Sequence, residues 1–279
     1  MNIKHILFVI CTLNIYSCAQ HIKVSIITSI YKGDQFIQGF MKDITQQTIF
    51  DQCELILINA NSPGNEEDFI RPYLDSYPNI HYIKLDKDPG LYAVWNLAIK
   101  AAQGKYITNA NLDDRLKKDA IEVHIKALDD HAEIDLVYSD NYITNVPNTT
   151  FESPHAHAVT RFAQFSKPAM LACLPHCHPV WRKTMHEKYG YFDERYHAVG
   201  DYEMWLRAVN QGAHFLKLQG IYGTFYLNPT TPCGRSNNSW EAPEVWQKYR
   251  HLFNLNHLNG HQIASFGAQA WSACVCPIH

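Results

Sequence analysis

Two adjacent carboxylates, Asp113 and Asp114, follow a run of residues that is typical of a buried strand. Tyr106 to Thr108 supply the aromatic and β-branched side chains that central strands favour. Open α/β sheets bind ligands beyond the carboxyl ends of their strands, so we expect both acids at a ligand site. Adjacent carboxylates repel each other unless a cation or hydrogen-bond donors hold them, and a hard divalent metal carrying a phosphate meets that need. A solvated turn that caps the next helix is the alternative for the pair alone.

The strand before these acids belongs to a series that alternates with helices. Runs of β-branched and apolar residues predict strands over 22–28, 54–59, 80–85, 106–108 and 134–139. Apolar residues at helical spacing predict helices over 36–44, 66–77 (broken near Pro72), 91–102 and from Asp119 onward. This alternation predicts an α/β fold with a mostly parallel sheet and helices on both faces. No Gly-x-Gly-x-x-Gly follows the first strand, which argues against a dinucleotide-binding fold.

The second half of the sequence is less regular. Residues 145–157 are polar and predict a surface loop, and residues 162–174 predict a helix interrupted at Pro168. Gly200 and Asp201 open a well-marked helix that ends at Gly212. Two late strands are expected over 213–218 and 221–227, followed by one more helix around 246–253. The tail from residue 260 shows no clear period.

Composition and the first residues restrict the class of protein. The chain has 279 residues, a net charge of −3 and no stripe of Lys and Arg, which argues against a nucleic-acid partner. Residues 1–20 contain a short apolar run and resemble a signal peptide or membrane anchor, with an extended N-terminus as the alternative. We therefore expect a cytoplasmic protein or one at the cytoplasmic membrane face, or else a secreted or anchored protein that uses residues 1–20.

Four motifs follow one another along the chain. They are VSIITSIYKGDQFI, ELILINANSPGNEE, DPGLYAVWNLAIKAAQGKYITNANLDD and GDYEMWLRA. Together they resemble the family 2 glycosyltransferases of the GT-A fold over about residues 22–227. The resemblance implies a GT-A-like domain over residues 21–230, with a nucleotide-sugar half at about 21–140 and an irregular acceptor half at about 141–230. Residues 231–279 would add a C-terminal helix and tail.

The resemblance also implies roles for individual residues. Asp113 would be the main ligand of a divalent Mn²⁺ or Mg²⁺ ion, with Asp114 beside it. Asp201 would be the catalytic base that removes the proton of the acceptor hydroxyl. Contacts to the nucleotide sugar would come from Thr28, Tyr31, Asn59, Asn96 and Asn111.

The sequence departs from the family motifs at two amides and lacks an obvious cation for the diphosphate. Asn59 stands where an Asp usually holds the base, and an amide can still donate to and accept from a base edge. Asn111 replaces the first acid of the usual Asp-x-Asp. For the diphosphate, three basic side chains remain open as alternatives: Lys84, Lys87 and Arg115.

The implied activity is that of a metal-dependent hexosyl-type glycosyltransferase in carbohydrate biosynthesis. It would move a sugar from a nucleotide-diphosphate sugar, with a UDP-sugar favoured, to a hydroxyl of a glycan or lipid-linked saccharide, with inversion. One alternative is a catalytically impaired relative that binds carbohydrate or nucleotide, which Asn59 and Asn111 would favour. Another is a sugar-phosphate nucleotidyltransferase, although residues 29–33 are a poor substitute for the Gly-rich basic loop that such an enzyme needs.

Two further groups of residues have an ordinary structural interpretation beside a functional one. Cys173, His176, Cys177 and His178 are metal-ligand types, but their spacing matches no regular zinc pattern, so we expect an acceptor-side wall or packing. Trp181 and Trp205 could stack on sugar faces, yet aromatic residues in such positions more often belong to the core.

Overall fold

A computed structural model of the protein describes residues 22–228 and 240–278. The signal-like or anchor segment expected over residues 1–20 lies outside these ranges. Within the two ranges, no helix has both the length and the apolar character that a membrane crossing requires.

Strands and helices alternate through the first half of the chain and become less regular afterwards. The strands are β1 Val24–Ile30, β2 Cys53–Asn59, β3 Ile80–Lys84, β4 Tyr106–Asn109, β5 Arg115–Leu116, β6 Leu136–Thr144, β7 Ala158–Thr160, β8 Val180–Arg182, β9 Phe215–Tyr226 and β10 Val275–Pro277. The α-helices are α1 Asp34–Ile44, α2 Glu66–Ser76, α3 Leu91–Ala101, α4 Ala120–Asp130, α5 Met185–Tyr189, α6 Gly200–Asn210, α7 Glu241–Tyr249 and α8 Gly260–Cys274.

One sheet contains all of these strands, in the order β10-β7-β6-β8-β4-β1-β2-β3, with β9 paired to β6 and β5 paired to β9. The predicted parallel arrangement is found in β1 to β4 and again between β6 and β9. The short strands β5, β7, β8 and β10, which the sequence pattern did not reveal, add antiparallel pairs. The C-terminal strand β10 extends this sheet through its pairing with β7.

Helices cover both faces of the sheet, as the alternation predicted. Successive side chains of a strand point to opposite faces. Ile27 accordingly packs in the core beneath α3 and α6, whereas its neighbour Ile26 packs beneath α1 and α4. Trp181 and Trp205 are fully buried in the first of these cores, with ring centroids 5.2 Å apart. Both tryptophans therefore belong to the core.

The elements differ from the sequence expectation in four places. Helix α2 continues through Pro72, and residues 162–174 contain only a short 3₁₀ turn at Pro168–Ala172. The two late strands are one strand, β9, whose register against β6 is irregular and which passes through Gly220 at φ +114°. The tail forms helix α8, which begins with a capping box: Asn259 and Gln262 each accept the backbone N–H of the other.

Gly104 lies where the turn after α3 presses against the backbone of β1. A Cβ added there would sit 2.6 Å from the Ser25 nitrogen and 2.7 Å from the Val24 carbonyl carbon. The Gly104 N–H donates to the Ser25 hydroxyl, which in turn donates to the buried Glu54 carboxylate at 2.5 Å. A side chain at residue 104 would therefore push β4 away from β1.

We expect Gly104→Ala to lower the free energy of unfolding by about 1–3 kcal/mol, the usual cost of overpacking against atoms that cannot move aside. Urea denaturation followed by circular dichroism would measure it. Gln103→Ala is the matched control, because the Gln103 side chain is exposed and its backbone bond to Glu54 survives the change. Equal stability of the two variants would contradict this account of the β1–β4 contact.

Candidate active site

A cleft of about 360 Å³ opens beyond the carboxyl ends of β1 and β4. Because neighbouring parallel strands end at the same edge, the loops after them meet there. The end of β9 closes the third side. The cleft is lined by Ser29, Tyr31, Lys32, Gly33, Phe36, Leu91, Asn111, Leu112, Asp113, Phe225, Tyr226, Leu227 and Asn228.

The two acids after β4 have different surroundings. Asp113 lines the cleft. Asp114 is 3% exposed, and its two oxygens accept hydrogen bonds at 2.9 Å, one from the Tyr226 backbone N–H and one from the Asn111 side-chain amide. Of the two acids that the sequence assigned to a metal, the structure thus brings Asp113 to the cleft and uses Asp114 to fix the loop.

Burial disfavours the ionised form of both acids. Loss of water, and after it the neighbouring Asp114 carboxylate, raise the pKa of Asp113 from 3.8 to about 7. Burial also raises the pKa of Asp114 to about 6, although its hydrogen bonds from Tyr226 and Asn111 act in the opposite direction. The nearby His178 brings no positive charge at neutral pH, because burial lowers its pKa to about 4. A cation in the cleft would stabilise the ionised Asp113.

The three basic residues considered for the diphosphate do not line the cleft. Arg115 is buried, and its guanidinium donates to the carbonyl oxygens of Leu112 and Asp114 and to the Asn148 side chain. Lys84 contacts the Glu67 carboxylate at 3.4 Å on the outer surface of the fold. The basic side chain that does line the cleft is that of Lys32, which was not among the residues predicted to bind the diphosphate.

The first two strands contribute fewer direct cleft contacts than the sequence predicted. Tyr31 lines the cleft and is 45% exposed. Thr28 is buried, and it is the next residue, Ser29, that reaches the cleft. Asn59 is also buried, where it accepts from the Ser62 N–H at 2.7 Å and donates to the Tyr82 hydroxyl at 3.0 Å.

Asn59 starts a buried chain of hydrogen bonds that shapes the loop after β1. Ser62, held by Asn59, donates its hydroxyl to Glu66 at 2.7 Å and accepts the Lys32 N–H at 2.9 Å. The same Glu66 oxygen accepts the Gly33 N–H at 2.6 Å. Glu66, an acid in the first turn of α2, is wholly buried. The loop after β2 therefore determines where the Lys32–Gly33 turn lies.

Asn96 joins α3 to the segment before α6. Its amide donates to the Phe192 carbonyl oxygen at 2.9 Å and to the Glu194 carboxylate at 2.9 Å, and it accepts the Phe192 N–H at 3.0 Å. The side chain is 2% exposed and does not line the cleft. The structure thus gives this residue, which the resemblance placed at the nucleotide sugar, a bracing position.

Asp201 lies at the start of α6, behind the wall of the cleft rather than in it. One carboxylate oxygen accepts from the Tyr92 hydroxyl at 3.0 Å and from the Tyr202 N–H at 2.8 Å. Leu91, which precedes Tyr92 in α3, lines the cleft. Burial raises the pKa of Asp201. The arrangement therefore links Asp201 to the cleft through the first turn of α3.

The loop that precedes Asp201 is held by an acid from the C-terminal part of the chain. Glu241, the first residue of α7, is wholly buried and accepts three successive backbone N–H groups. They belong to His197, Ala198 and Val199, at 2.9, 2.9 and 3.2 Å. No pattern in the sequence pointed to Glu241, because the contact spans more than forty positions.

The cysteine and histidine residues near β8 give a zinc site no support. His176 Nδ1 lies 2.7 Å from Cys177 Sγ, and the His176 ring packs between Phe225 and Trp271. Across residues 22–228 and 240–278, no three or more His, Cys, Asp or Glu side chains are grouped to hold a metal ion. His176 is therefore packed among aromatic side chains.

The cleft nevertheless suits a hard divalent cation that shares its coordination with a ligand. Asp113 offers a carboxylate, and the neighbouring Asn111 offers a side-chain amide oxygen. Mg²⁺-type sites are commonly built from one or two carboxylates together with substrate phosphates and water, rather than from a full protein cage. Mn²⁺ accepts the same oxygen ligands. The donor set thus fits a metal that arrives with a phosphate.

Solved structures share this fold. TarS 1–349 from S. aureus in complex with UDP-GlcNAc aligns with a TM-score of 0.68 and 15% identity, over 89% of this chain and 71% of that one. A mannosyltransferase from Pyrobaculum calidifontis in complex with GDP-Man and Mn²⁺ aligns with a TM-score of 0.59 and 13% identity, over 90% and 74%. The chain therefore has the GT-A fold, with a central sheet between helices.

Sequence comparisons agree with the fold. The minor teichoic acid biosynthesis protein GgaB of Bacillus subtilis is 31% identical over 115 residues, which is 40% of this chain and 13% of GgaB. The first three curated relatives are each matched over less than two thirds of their length. The family model for glycosyl transferase family 2 matches residues 25–190, more than half of the chain. This protein belongs to glycosyl transferase family 2.

Proposed function

We propose that this protein transfers a sugar from a nucleotide-diphosphate sugar to a hydroxyl of a glycan or lipid-linked saccharide. The observation that carries the proposal is the cleft at the strand ends, where the Asp113 carboxylate, with its raised pKa, shares one cavity with the exposed Tyr31 ring. A UDP-sugar is the favoured donor, supported by the UDP-GlcNAc complex of TarS. GgaB, named for teichoic acid biosynthesis, supports a glycan acceptor.

Residues 21–140 would hold the donor and residues 141–230 the acceptor. The Tyr31 ring would stack on the base at the open side of the cleft. Asp113, with Asn111, would hold Mn²⁺ or Mg²⁺ against the diphosphate, and the metal when bound supplies the positive charge that stabilises the departing phosphate. The Mn²⁺ in the Pyrobaculum neighbour supports this cofactor. Asp114 would keep the Asp113 loop in place through Tyr226.

Asp201 would act as the base. The Tyr92 hydroxyl and the Tyr202 N–H anchor one of its oxygens. Its raised pKa improves it as a proton acceptor when the acceptor hydroxyl attacks the anomeric carbon. Attack opposite the leaving diphosphate inverts that carbon. Access to Asp201 would lie past Leu91 and Tyr92.

A protein that binds the nucleotide without transferring sugar is the second candidate. It is favoured by Asn59, whose amide is used internally where relatives are expected to hold the base. Cleavage of a nucleotide sugar distinguishes the transferase from the binding protein. We expect the protein with Mn²⁺ to hydrolyse or transfer from at least one UDP- or GDP-sugar, measured by nucleotide release. Nucleotide binding in a thermal-shift panel without any release from the same sugars would favour the binding protein.

Mn²⁺ should compete with protons for Asp113, because a metal-binding carboxylate must be ionised. With a pKa of about 7, this group is mostly protonated at about pH 6 and mostly ionised at about pH 8. We expect Mn²⁺ affinity to rise about tenfold between these values. Calorimetry in the presence of UDP-GlcNAc would measure it. Both phosphates of this donor are esterified and so lack the ionisation near pH 6.

Two variants make that measurement specific to Asp113. Asp113→Asn should bind Mn²⁺ weakly at both pH values and lose the pH dependence. Asp75→Asn removes an exposed carboxylate of α2 and should behave as the unmodified protein does. An unchanged Mn²⁺ affinity in Asp113→Asn would remove this residue from the metal site.

Asp201→Asn should abolish transfer and leave donor binding intact. The substitution keeps the size of the side chain but cannot take a proton, and loss of a general base costs about 10²–10⁴-fold in rate. Turnover and the dissociation constant for UDP-GlcNAc would be measured on the same preparation. Asp193→Asn is the control, since Asp193 pairs with Arg195 at the surface. A matching loss of binding and turnover in Asp201→Asn would argue against the base.

A further inference from the structure

Lys32 is the basic side chain that lines the cleft within the described residues, and Asp113 is the acidic one. A nucleoside diphosphate esterified to a sugar carries two negative charges. A divalent cation held by the single Asp113 carboxylate offsets only one of them, because Asn111 contributes no charge. Without further help the occupied cleft would retain one net negative charge, which a neighbouring cation would stabilise. The positive charge of the Lys32 ammonium group would neutralise this remaining charge.

The backbone of Lys32 is held in an uncommon conformation. Its φ of +52° lies in the left-handed region, which residues other than glycine rarely adopt unless their surroundings impose it. Ser62 accepts the Lys32 N–H, and the wholly buried Glu66 accepts the next N–H, that of Gly33. The backbone of the Lys32–Gly33 turn at the rim of the cleft is therefore held in place by Ser62 and Glu66.

This turn lies directly against the loop that carries Asp113. A Cβ at Gly33 would stand 2.3 Å from the end of the Leu112 side chain, which shows how closely the two loops meet. Lys32 and Asp113 therefore approach the cleft from opposite sides of one contact. A phosphate bound in this cleft would share one cavity with the Asp113 carboxylate and the Lys32 side chain.

Among the described residues, no acid pairs with the Lys32 ammonium. Its Nζ lies 5.1 Å from the centroid of the Tyr31 ring, a cation–π distance, and in the described part of the chain no carboxylate oxygen comes within 4 Å of it. Lys84, by contrast, is already paired with Glu67. An ammonium resting on an exposed ring is available to an anion that stacks its base on that ring.

We propose that Lys32 binds the diphosphate of the donor and makes the cleft select nucleoside diphosphates over monophosphates. The inference rests on the proposed function, since it takes the donor to be a nucleotide-diphosphate sugar. Lys32 is then a binding residue of the second phosphate, on the side opposite Asp113 and its metal. It supplies the cation for which the sequence offered Lys84, Lys87 or Arg115 as candidates.

The test compares UDP with UMP, and GDP with GMP, by calorimetry in the presence of Mn²⁺. Lys32→Gln should weaken the better-bound diphosphate about tenfold, the usual loss for a hydrogen bond to a charged group, and its monophosphate by less than about threefold. Lys32→Arg should restore most of the diphosphate affinity, because it keeps the charge. Lys84→Gln, the matched control, should bind both nucleotides as the unmodified protein does. Thermal unfolding without nucleotide should be alike in all four proteins.

The outcomes separate this inference from the proposed function. If the unmodified protein binds UDP or GDP and Lys32→Gln binds it equally well, the role of Lys32 is refuted and the proposed function stands. The role is also refuted if Lys32→Gln weakens diphosphate and monophosphate by the same factor. If the unmodified protein binds none of the four nucleotides, the proposed function fails, and the inference fails with it.

Discussion

The cleft depends on the hydrogen bonds of one buried carboxylate, that of Asp114. One oxygen holds the Tyr226 N–H and the other holds the Asn111 amide, so the loop after β4 and the end of β9 are joined across 112 positions of sequence. At 3% exposure a carboxylate without such partners would be strongly unfavourable. The two ends must therefore stay together, and this fixes the loop that presents Asp113.

Two other buried acids organise loops in the same way. Glu66 accepts the Gly33 N–H and the Ser62 hydroxyl beside the cleft, and Glu241 accepts three backbone N–H groups before α6. Backbone N–H groups in loops have no strand or helix partner, so a buried carboxylate satisfies several of them at once. Side chains that line the cleft thus stand on loops whose backbone is fixed by buried acids outside the cleft lining.

The sequence predicted the elements that a local pattern encodes and missed those that depend on distant partners. Strand β1 and helix α3 were foreseeable because their apolar periodicity is strong, and Asp113 was foreseeable because it follows a buried strand. Asn96 was predicted to contact the ligand, and in the structure its amide donates to the Phe192 carbonyl oxygen and the Glu194 carboxylate. A sequence shows that a polar group ends a strand or lies on a helix, but not whether a residue ninety positions away already satisfies it. Lys32 was not predicted, because its position at the cleft depends on the hydrogen bonds that Ser62 and Glu66 accept from its turn.

Asp113 and Asp201 show one physical effect with two consequences. Burial raises the pKa of both, which means that the protein stabilises their ionised forms poorly. Asp113 lines a cleft with room for a cation, so a metal ion bound together with an anionic ligand would stabilise its ionised form. Asp201 lies behind Leu91 against the Tyr92 hydroxyl, where taking up a proton would neutralise its charge. In the proposed function, the space around each carboxylate, more than its residue type, therefore separates the metal ligand from the base.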